Sequence, residues 1–330
     1  MATVATRLFR KLEGLFCVYK PPGVHWKLVR DTVETNLLKG LNDTELRPVA
    51  REVRYMLSQS STETSDAPKA LTLSAACVPV LSEHPLVTGP NFQQIKVGVG
   101  HRLDAFSSGV LVLSVGKANK VLNDLHHTCV TRDYTVEGEF GVATDDFSNQ
   151  GRIVERSTYE HITRDKLERV MAILQGANQK ALLMYSRVDM RSQEAYEMAV
   201  QGRLGPEEKS VPILLGLRCI RFEPPNFTLE IQCLNETQKY LRKVVHEIGL
   251  ELRSTAVCKG VRRTRDGCFT VHQALTRNQW TSAEVMNAVQ QYRFIKNKRS
   301  TRALKDPELH VKEEDITTGQ NIANIRDAVN

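Results

Sequence analysis

Residues Gly100 to Gly109 (GHRLDAFSSG) set an aspartate among small neighbours, directly ahead of the apolar run GVLVLSV. An Asp on a loop that feeds a buried strand can stand at the floor of a cleft and act as a nucleophile or base. The same residue type also closes turns through its own backbone, and the spacing leaves both readings open. A carboxylate that must stay ionised away from water calls for a cation beside it, so an arginine partner is expected for Asp104. Tyr134, in RDYTVEG, reads by itself as a half-buried strand tyrosine.

Other chemistries find little support. The seven cysteines are scattered without CxxC spacing, and the nine histidines form no HExxH or HxxxH pattern. That argues against a disulfide framework and against a metal site, and it points to a reduced, intracellular compartment. The glycines match neither GxGxxG nor GxxxxGK[ST], so no nucleotide cofactor is expected. Lys plus Arg number 45 against 38 Asp plus Glu, a net charge of +7. Such a balance suits a polyanionic partner such as RNA, although many basic soluble proteins share it. No apolar run approaches the length of a membrane span.

The elements that must position these residues follow from periodicity and turn chemistry. Gly14 to Tyr19 reads as a strand that ends at the turn Lys20-Pro21-Pro22-Gly23. Trp26 to Leu41 has helical spacing, with Val29, Val33, Leu37 and Leu41 on one side. Leu71 to Val80 and Gly109 to Val115 read as strands, Lys117 to His127 as a helix, and Tyr134 to Phe140 as a strand. Gly141 to Gly151 is dense in turn formers and acids. Helices are expected at Arg164 to Leu174, from Glu194 to Val200, and strongly at Gln238 to Leu252. Strands are expected at Ile213 to Phe222, Phe227 to Cys233, Ser254 to Val261 and Cys268 to Val271, with a last helix over Ser282 to Lys296. Gln59 to Lys69 lacks apolar periodicity and reads as a mobile surface loop, and the charged stretch from Lys296 as a solvated tail. The mixture is not a regular βαβ alternation, which makes the expected class α+β with a mixed, largely antiparallel sheet flanked by helices.

Several segments together resemble one family. HRLD followed by SSGVLVL resembles the catalytic motif of pseudouridine synthases. GLFCVYKPPG, GVATDDFSNQGRIVE, Met184-Tyr185-Ser186 with Gln193 to Ala199, Lys239-Tyr240-Leu241-Arg242 with Ile248-Gly249, and Val261-Arg262-Arg263-Thr264 resemble, in order, the motifs of the TruB type. The similarity is strongest to the mitochondrial TruB-like branch of RNA pseudouridine synthases.

That resemblance implies a pseudouridine synthase fold that needs no cofactor and no metal. It implies Asp104 as the covalent or proton-abstracting group, Arg242 as its partner and Tyr134 as the ring that meets the flipped uracil. It places Lys20, Arg102, Tyr240, Val261 and Arg262 around the substrate, with Lys20 supporting the loop that carries Asp104. Arg262, Arg263 and Arg265, and further off Lys96, Lys117 and Lys120, become candidates for phosphate contacts. The implied substrate is mitochondrial RNA (messenger, ribosomal or transfer RNA) in the mitochondrial matrix, with other RNA-processing proteins as partners and no role for DNA. The domain reading is a basic segment 1–13 suited to mitochondrial targeting, a catalytic domain 14–295 with an inserted loop at about 42–70, and a tail 296–330.

The chain also departs from the family. Val99 and Gly100 stand where TruB has His and Thr, which weakens recognition of a tRNA T-loop. About 50 residues follow Trp280, too few for the C-terminal PUA domain common in the family, so the catalytic domain is expected to hold RNA by itself or with partners. The rival to an enzyme is an RNA-binding or ribosome-assembly factor that keeps the fold without the chemistry; Asp104, Tyr134 and Arg242 are residues that such a factor would not need.

Overall fold

The computed structural model describes residues 4–44, 51–59, 71–80, 92–127, 130–186, 191–200 and 211–303, and the isolated residues 87, 89 and 189. Residues 1–290 cluster as one unit that contains the sheet and its cores; residues 291–330 form a second, whose described part is helical as far as Ala303.

Chain order begins with α1 (Val4–Leu12), β1 (Gly14–Lys20), α2 (Trp26–Thr44), β2 (Arg51–Gln59), β3 (Leu71–Pro79), β4 (Val97–Val99), β5 (Ser108–Val115) and α3 (Ala118–His127). It continues with β6 (Arg132–Phe140), β7 (Val142–Thr144), β8 (Ile153–Arg156), α4 (Arg164–Tyr185), α5 (Gln193–Val200), β9 (Ile213–Glu223) and β10 (Asn226–Leu234). It closes with α6 (Gln238–Glu251), β11 (Ala256–Asp266), β12 (Phe269–Thr270) and α7 (Ser282–Ala303).

The main sheet runs β1-β5-β11-β6-β10-β9, with β4 beside β5 and β12 beside β11. Every pairing is antiparallel except β11 with β5, where Arg262 faces Ser108 and Arg263 faces Gly109. The class is therefore the expected α+β, a mixed and largely antiparallel sheet with helices against it. That single parallel junction matters, because it brings β11 beside the start of β5, where the Asp104 loop enters the sheet.

β5 reads as a continuous apolar run because it is central and buried along its length. One core lies where α6 and α4 meet β6, β9, β10 and β11, and the other where α1, α2 and α7 meet β1, β4 and β5. α6 begins at Thr237, whose side chain accepts the Tyr240 N–H. Leu241, Val244, Val245 and Ile248 recur at helical spacing and are all buried, each contributing about 1.5–3 kcal/mol of transfer free energy. The helix stops at Arg253, which takes a positive φ of 56°. Gly249 lets Ala256 pass closely, since a Cβ there would lie 2.5 Å from the Ala256 nitrogen.

Three elements differ from the sequence expectation. α4 runs eleven residues past Leu174, to Tyr185, and Asn178 and Gln175 on that extension accept the N–H groups of Leu214 and Leu217 in β9. An edge strand whose amides need acceptors is thus covered by the helix. The inserted segment holds a strand, β2, that pairs with β3 in a hairpin separate from the main sheet. Of the loop expected over Gln59 to Lys69, Gln59 ends β2 and residues 60–69 lie outside the described residues, as do 304–330 of the expected tail. The N-terminal segment is helical: Leu12 is fully buried and Phe9 stacks on Phe92 with ring centroids 6.0 Å apart.

Candidate active site

The loop of residues 100–107 carries Asp104, and both readings of that residue hold at once. Its Oδ1 accepts the Ser107 N–H at 2.8 Å and so closes a turn. Its Oδ2 accepts from Arg242 Nη1 at 2.7 Å, across 138 residues of sequence. The pair is partly open, with the Asp104 side chain 33% and the Arg242 side chain 14% exposed. The guanidinium also lies over the Phe106 ring, 5.4 Å from its centroid.

Lys20 holds the loop from below. Its ammonium donates to the carbonyls of Ser107 (2.5 Å), Pro21 (3.1 Å) and Ala105 (3.3 Å), and Ala105 O accepts in addition from Gly23 N–H. Lys20 has no exposed surface, so it cannot meet a substrate as expected from its place in the site; its support of the loop is the role the contacts describe. Burial pulls its pKa down to about 8, with Arg263 acting in the same direction and Asp104 opposing.

The turn between β7 and β8 brings a second carboxylate that the sequence reading had left without a role. Asp146 accepts from Ser148 N–H (2.9 Å), Ser148 Oγ (2.6 Å) and Thr144 Oγ1 (3.5 Å). Desolvation raises its pKa, but these bonds and the Arg242 charge outweigh it and leave the carboxyl below its ordinary value. Arg242 thus pairs with Asp104 and acts on Asp146 through its charge alone. The signal was the acid-rich segment GVATDDFSNQG, read for its turns and as a family motif but without a role for Asp146.

A cleft of about 440 Å³ opens beside the loop, bordered by Gly23, Phe106, Thr135, Gln150, Val261 and Arg262. Strand alternation sends Thr135 and Glu137 toward this cleft, and Tyr134 and Val136 to the opposite face of β6. Tyr134 is fully buried, and its hydroxyl donates to Glu236 Oε1 at 2.6 Å. Burial, against the nearby Arg263 charge, pushes its pKa well above the ordinary value. The hydroxyl is thus a protonated donor, and the ring does not face the cleft in this conformation. It belongs to the apolar cluster that also contains Leu103, Leu241 and Val261, against which Phe106 and Tyr240 pack. Tyr240 is half-buried, its pKa raised to about 12 by burial. Glu236 gave no signal in the sequence, because a lone Glu before a helix reads as a favourable charge at its N-terminus.

The basic candidates separate by position. Arg102 is exposed and lies over the Trp26 ring at 4.8 Å; Arg262 is exposed and lies over Tyr19 at 5.7 Å. Neither forms an ion pair among the described residues. Arg263, by contrast, is fully buried and donates to Val110 O, His101 O and His101 Nδ1, so it cannot reach a phosphate. Arg265 is spent on a bidentate pair with Asp133 at 2.6 and 2.7 Å. Lys96, Lys117 and Lys120 belong to the Val115 end of β5, roughly 23 Å of strand away from the Asp104 end, which removes them from the site.

Comparison with known proteins gives consistent similarities. Residues 90–239 match the family model described as the N-terminal domain of the TruB family pseudouridylate synthases. The chain is 56% identical to the mitochondrial pseudouridylate synthase TRUB2 of Xenopus tropicalis, over 89% of each chain. It is 54% identical to the human mitochondrial pseudouridylate synthase TRUB2, over 84% of this chain and 83% of the human one. Among solved structures, a chain of the archaeal box H/ACA sRNP Nop10-Cbf5 complex aligns with a TM-score of 0.45 at 15% identity; the alignment covers 84% of this chain and 59% of that one.

Proposed function

The chain belongs to the TruB family of pseudouridylate synthases, and from that premise we propose that it isomerises uridine in mitochondrial RNA, messenger or ribosomal, with Asp104 as the nucleophile. The observation that carries the residue assignment is the Asp104–Arg242 ion pair at 2.7 Å, formed on a loop that Lys20 pins from below. The reaction breaks the N-glycosidic bond at N1, turns the uracil and joins C5 to the same sugar carbon. N1 gains a proton, C5 loses one, and no electrons are exchanged. Asp104 is the covalent or proton-abstracting group. Arg242 holds the carboxylate in place through the oxygen that does not close the turn. Phe106 and Val261 border the cleft that takes the base, and Tyr134 and Tyr240 pack behind them in the same apolar cluster.

Arg102 and Arg262 grip the RNA backbone. Both are exposed near the loop, both are oriented by an aromatic ring, and neither is neutralised by an acid among the described residues. The catalytic region is residues 14–295. The compartment is mitochondrial, a reading that the mitochondrial relatives support, and the proposed RNA substrates assign it to the matrix. Val99 and Gly100, at the positions of the family's His and Thr, weigh against a tRNA T-loop as the main target. The test is to map pseudouridine in mitochondrial RNA after depletion of the protein, with rescue by wild type or by Asp104→Asn. Sites restored by wild type alone are expected. Equal rescue by Asp104→Asn would favour an RNA-binding role without chemistry.

A further inference from the structure

A carboxylate sealed in a protein core is costly unless other groups satisfy it. Glu236 is such a residue, at 1% exposure in the link between β10 and α6. It is not the cap of α6, since Thr237 fills that position. Its contacts reach several parts of the site. From β6 it takes the Tyr134 hydroxyl at 2.6 Å and the Arg132 guanidinium at 3.4 and 3.5 Å. From the Asp104 loop it faces His101 Nδ1 at 3.7 Å. Glu236 itself precedes Arg242 by six residues.

The rest of the network leads back to the same loop. Arg132 Nε donates to Asp266 at 2.9 Å, and Asp266 lies 3.6 Å from Arg263. Arg263 donates to the His101 carbonyl at 2.8 Å and bonds His101 Nδ1 at 2.9 Å. The two arginines balance the two carboxylates. Replacing such an ionic cluster by apolar side chains is often neutral or stabilising, so stability alone is a weak reason for it.

We infer that Glu236 is a positioning residue for the isomerisation: it fixes Tyr134, which backs the apolar wall of the cleft, and, through Arg132, Asp266 and Arg263, the loop that presents Asp104, so that wall and nucleophile keep one relative geometry. The inference rests on Asp104 being the nucleophile, as proposed above. A displacement of about 1 Å at a reacting centre costs on the order of 100-fold in rate. A side chain that only packs would lower stability without separating turnover from binding.

The experiment measures single-turnover rate and equilibrium RNA affinity for Glu236→Gln, Tyr134→Phe and the double variant, on an RNA that the wild type converts. Glu236→Gln is expected to lose about 10- to 100-fold in rate while RNA affinity stays within about two-fold. The double variant is expected to lose no more than the worse single one, because both act through one contact. Wild-type turnover by Glu236→Gln, or fully additive losses, overturns the inference. If Glu236→Gln does not fold, Tyr134→Phe with His101→Ala decides: less-than-additive loss supports the coupling and additive loss overturns it. Asp104→Asn in the same assay keeps two failures apart. Turnover by that variant removes Asp104 as nucleophile, whereas an inactive Asp104→Asn beside a fully active Glu236→Gln removes only the role of Glu236.

Discussion

Asp104 shows how one side chain can be both structural and poised for chemistry, because its two oxygens are used differently. Oδ1 accepts the Ser107 N–H, and Oδ2 accepts from Arg242. An amide keeps the acceptor needed for the turn but cannot attack or remove a proton. Asp104→Asn is therefore expected to keep its fold and RNA affinity while forming no pseudouridine, as judged by product formation beside a binding titration. The partner is equally particular. Arg242 reaches Asp104 with one nitrogen while its planar group lies over Phe106 and within the field of Asp146. An ammonium reproduces the charge but not the planar contact. Arg242→Ala is expected to reduce the single-turnover rate by about 100-fold, the scale of a misplaced reacting group, and Arg242→Lys to recover part of that loss. Equal rates for Arg242→Ala and wild type would remove the pairing from the mechanism.

The loop and the strands beside it depend on two less conspicuous residues. Lys20 offers an ammonium to three carbonyls, and burial lowers its pKa to about 8. Above that pH the amine has one fewer N–H to donate, so the loop loosens. Activity is expected to fall as pH rises through about 8, and Lys20→Met to be slow at all pH values without that alkaline limb. For stability the sign is opposite. A lysine whose folded pKa is depressed binds fewer protons when folded, so the cost of its buried charge is present below about pH 8 and is relieved as pH rises toward its unfolded value. Denaturant midpoints across that range check the direction. Gly109 sits at the parallel junction of β5 and β11 with φ of 111°, and a Cβ there would lie 2.1 Å from the Arg263 carbonyl oxygen. Gly109→Ala combines backbone strain with a clash against main chain and is expected to cost about 3 kcal/mol or more, measurable by urea unfolding.

Across the whole molecule, net charge predicts attraction to RNA but not where it acts. Most arginines near the sheet are committed to carboxylates or carbonyls, as Arg132, Arg263 and Arg265 are. Arg102 and Arg262 are not, and their aromatic supports hold them ready for phosphate. Each phosphate contact contributes about 0.7 to 0.9 to the slope of log affinity against log salt. Arg102→Gln and Arg262→Gln are each expected to lower that slope by about this amount. Lys96→Gln and Lys117→Gln, at the other end of β5, are expected to leave it unchanged. A slope insensitive to both arginines would move the RNA track elsewhere.

Local pattern was enough to find the parts. The apolar run after Asp104 reads directly as a central strand, and the spacing of Leu241, Val244, Val245 and Ile248 reads as the helix that carries Arg242. The order of the motifs also pointed to the family. Periodicity, however, reports which face of an element is apolar and not which element covers it. The family resemblance named Arg242 as the partner of Asp104 and Lys20 as the support of its loop, but the contacts that make those pairings, and the removal of Lys96, Lys117 and Lys120 to the far end of β5, emerged only from the folded chain. Alternation put Tyr134 on one face of β6, but it took the sheet order to make that the face with Glu236 and the core. Charge compensation is the clearest case. Arg262 and Arg263 are adjacent and identical in type, yet one is exposed over Tyr19 and the other is buried on His101 and Val110. Successive residues of a strand point to opposite sides, and what waits on each side is supplied by segments more than a hundred residues away.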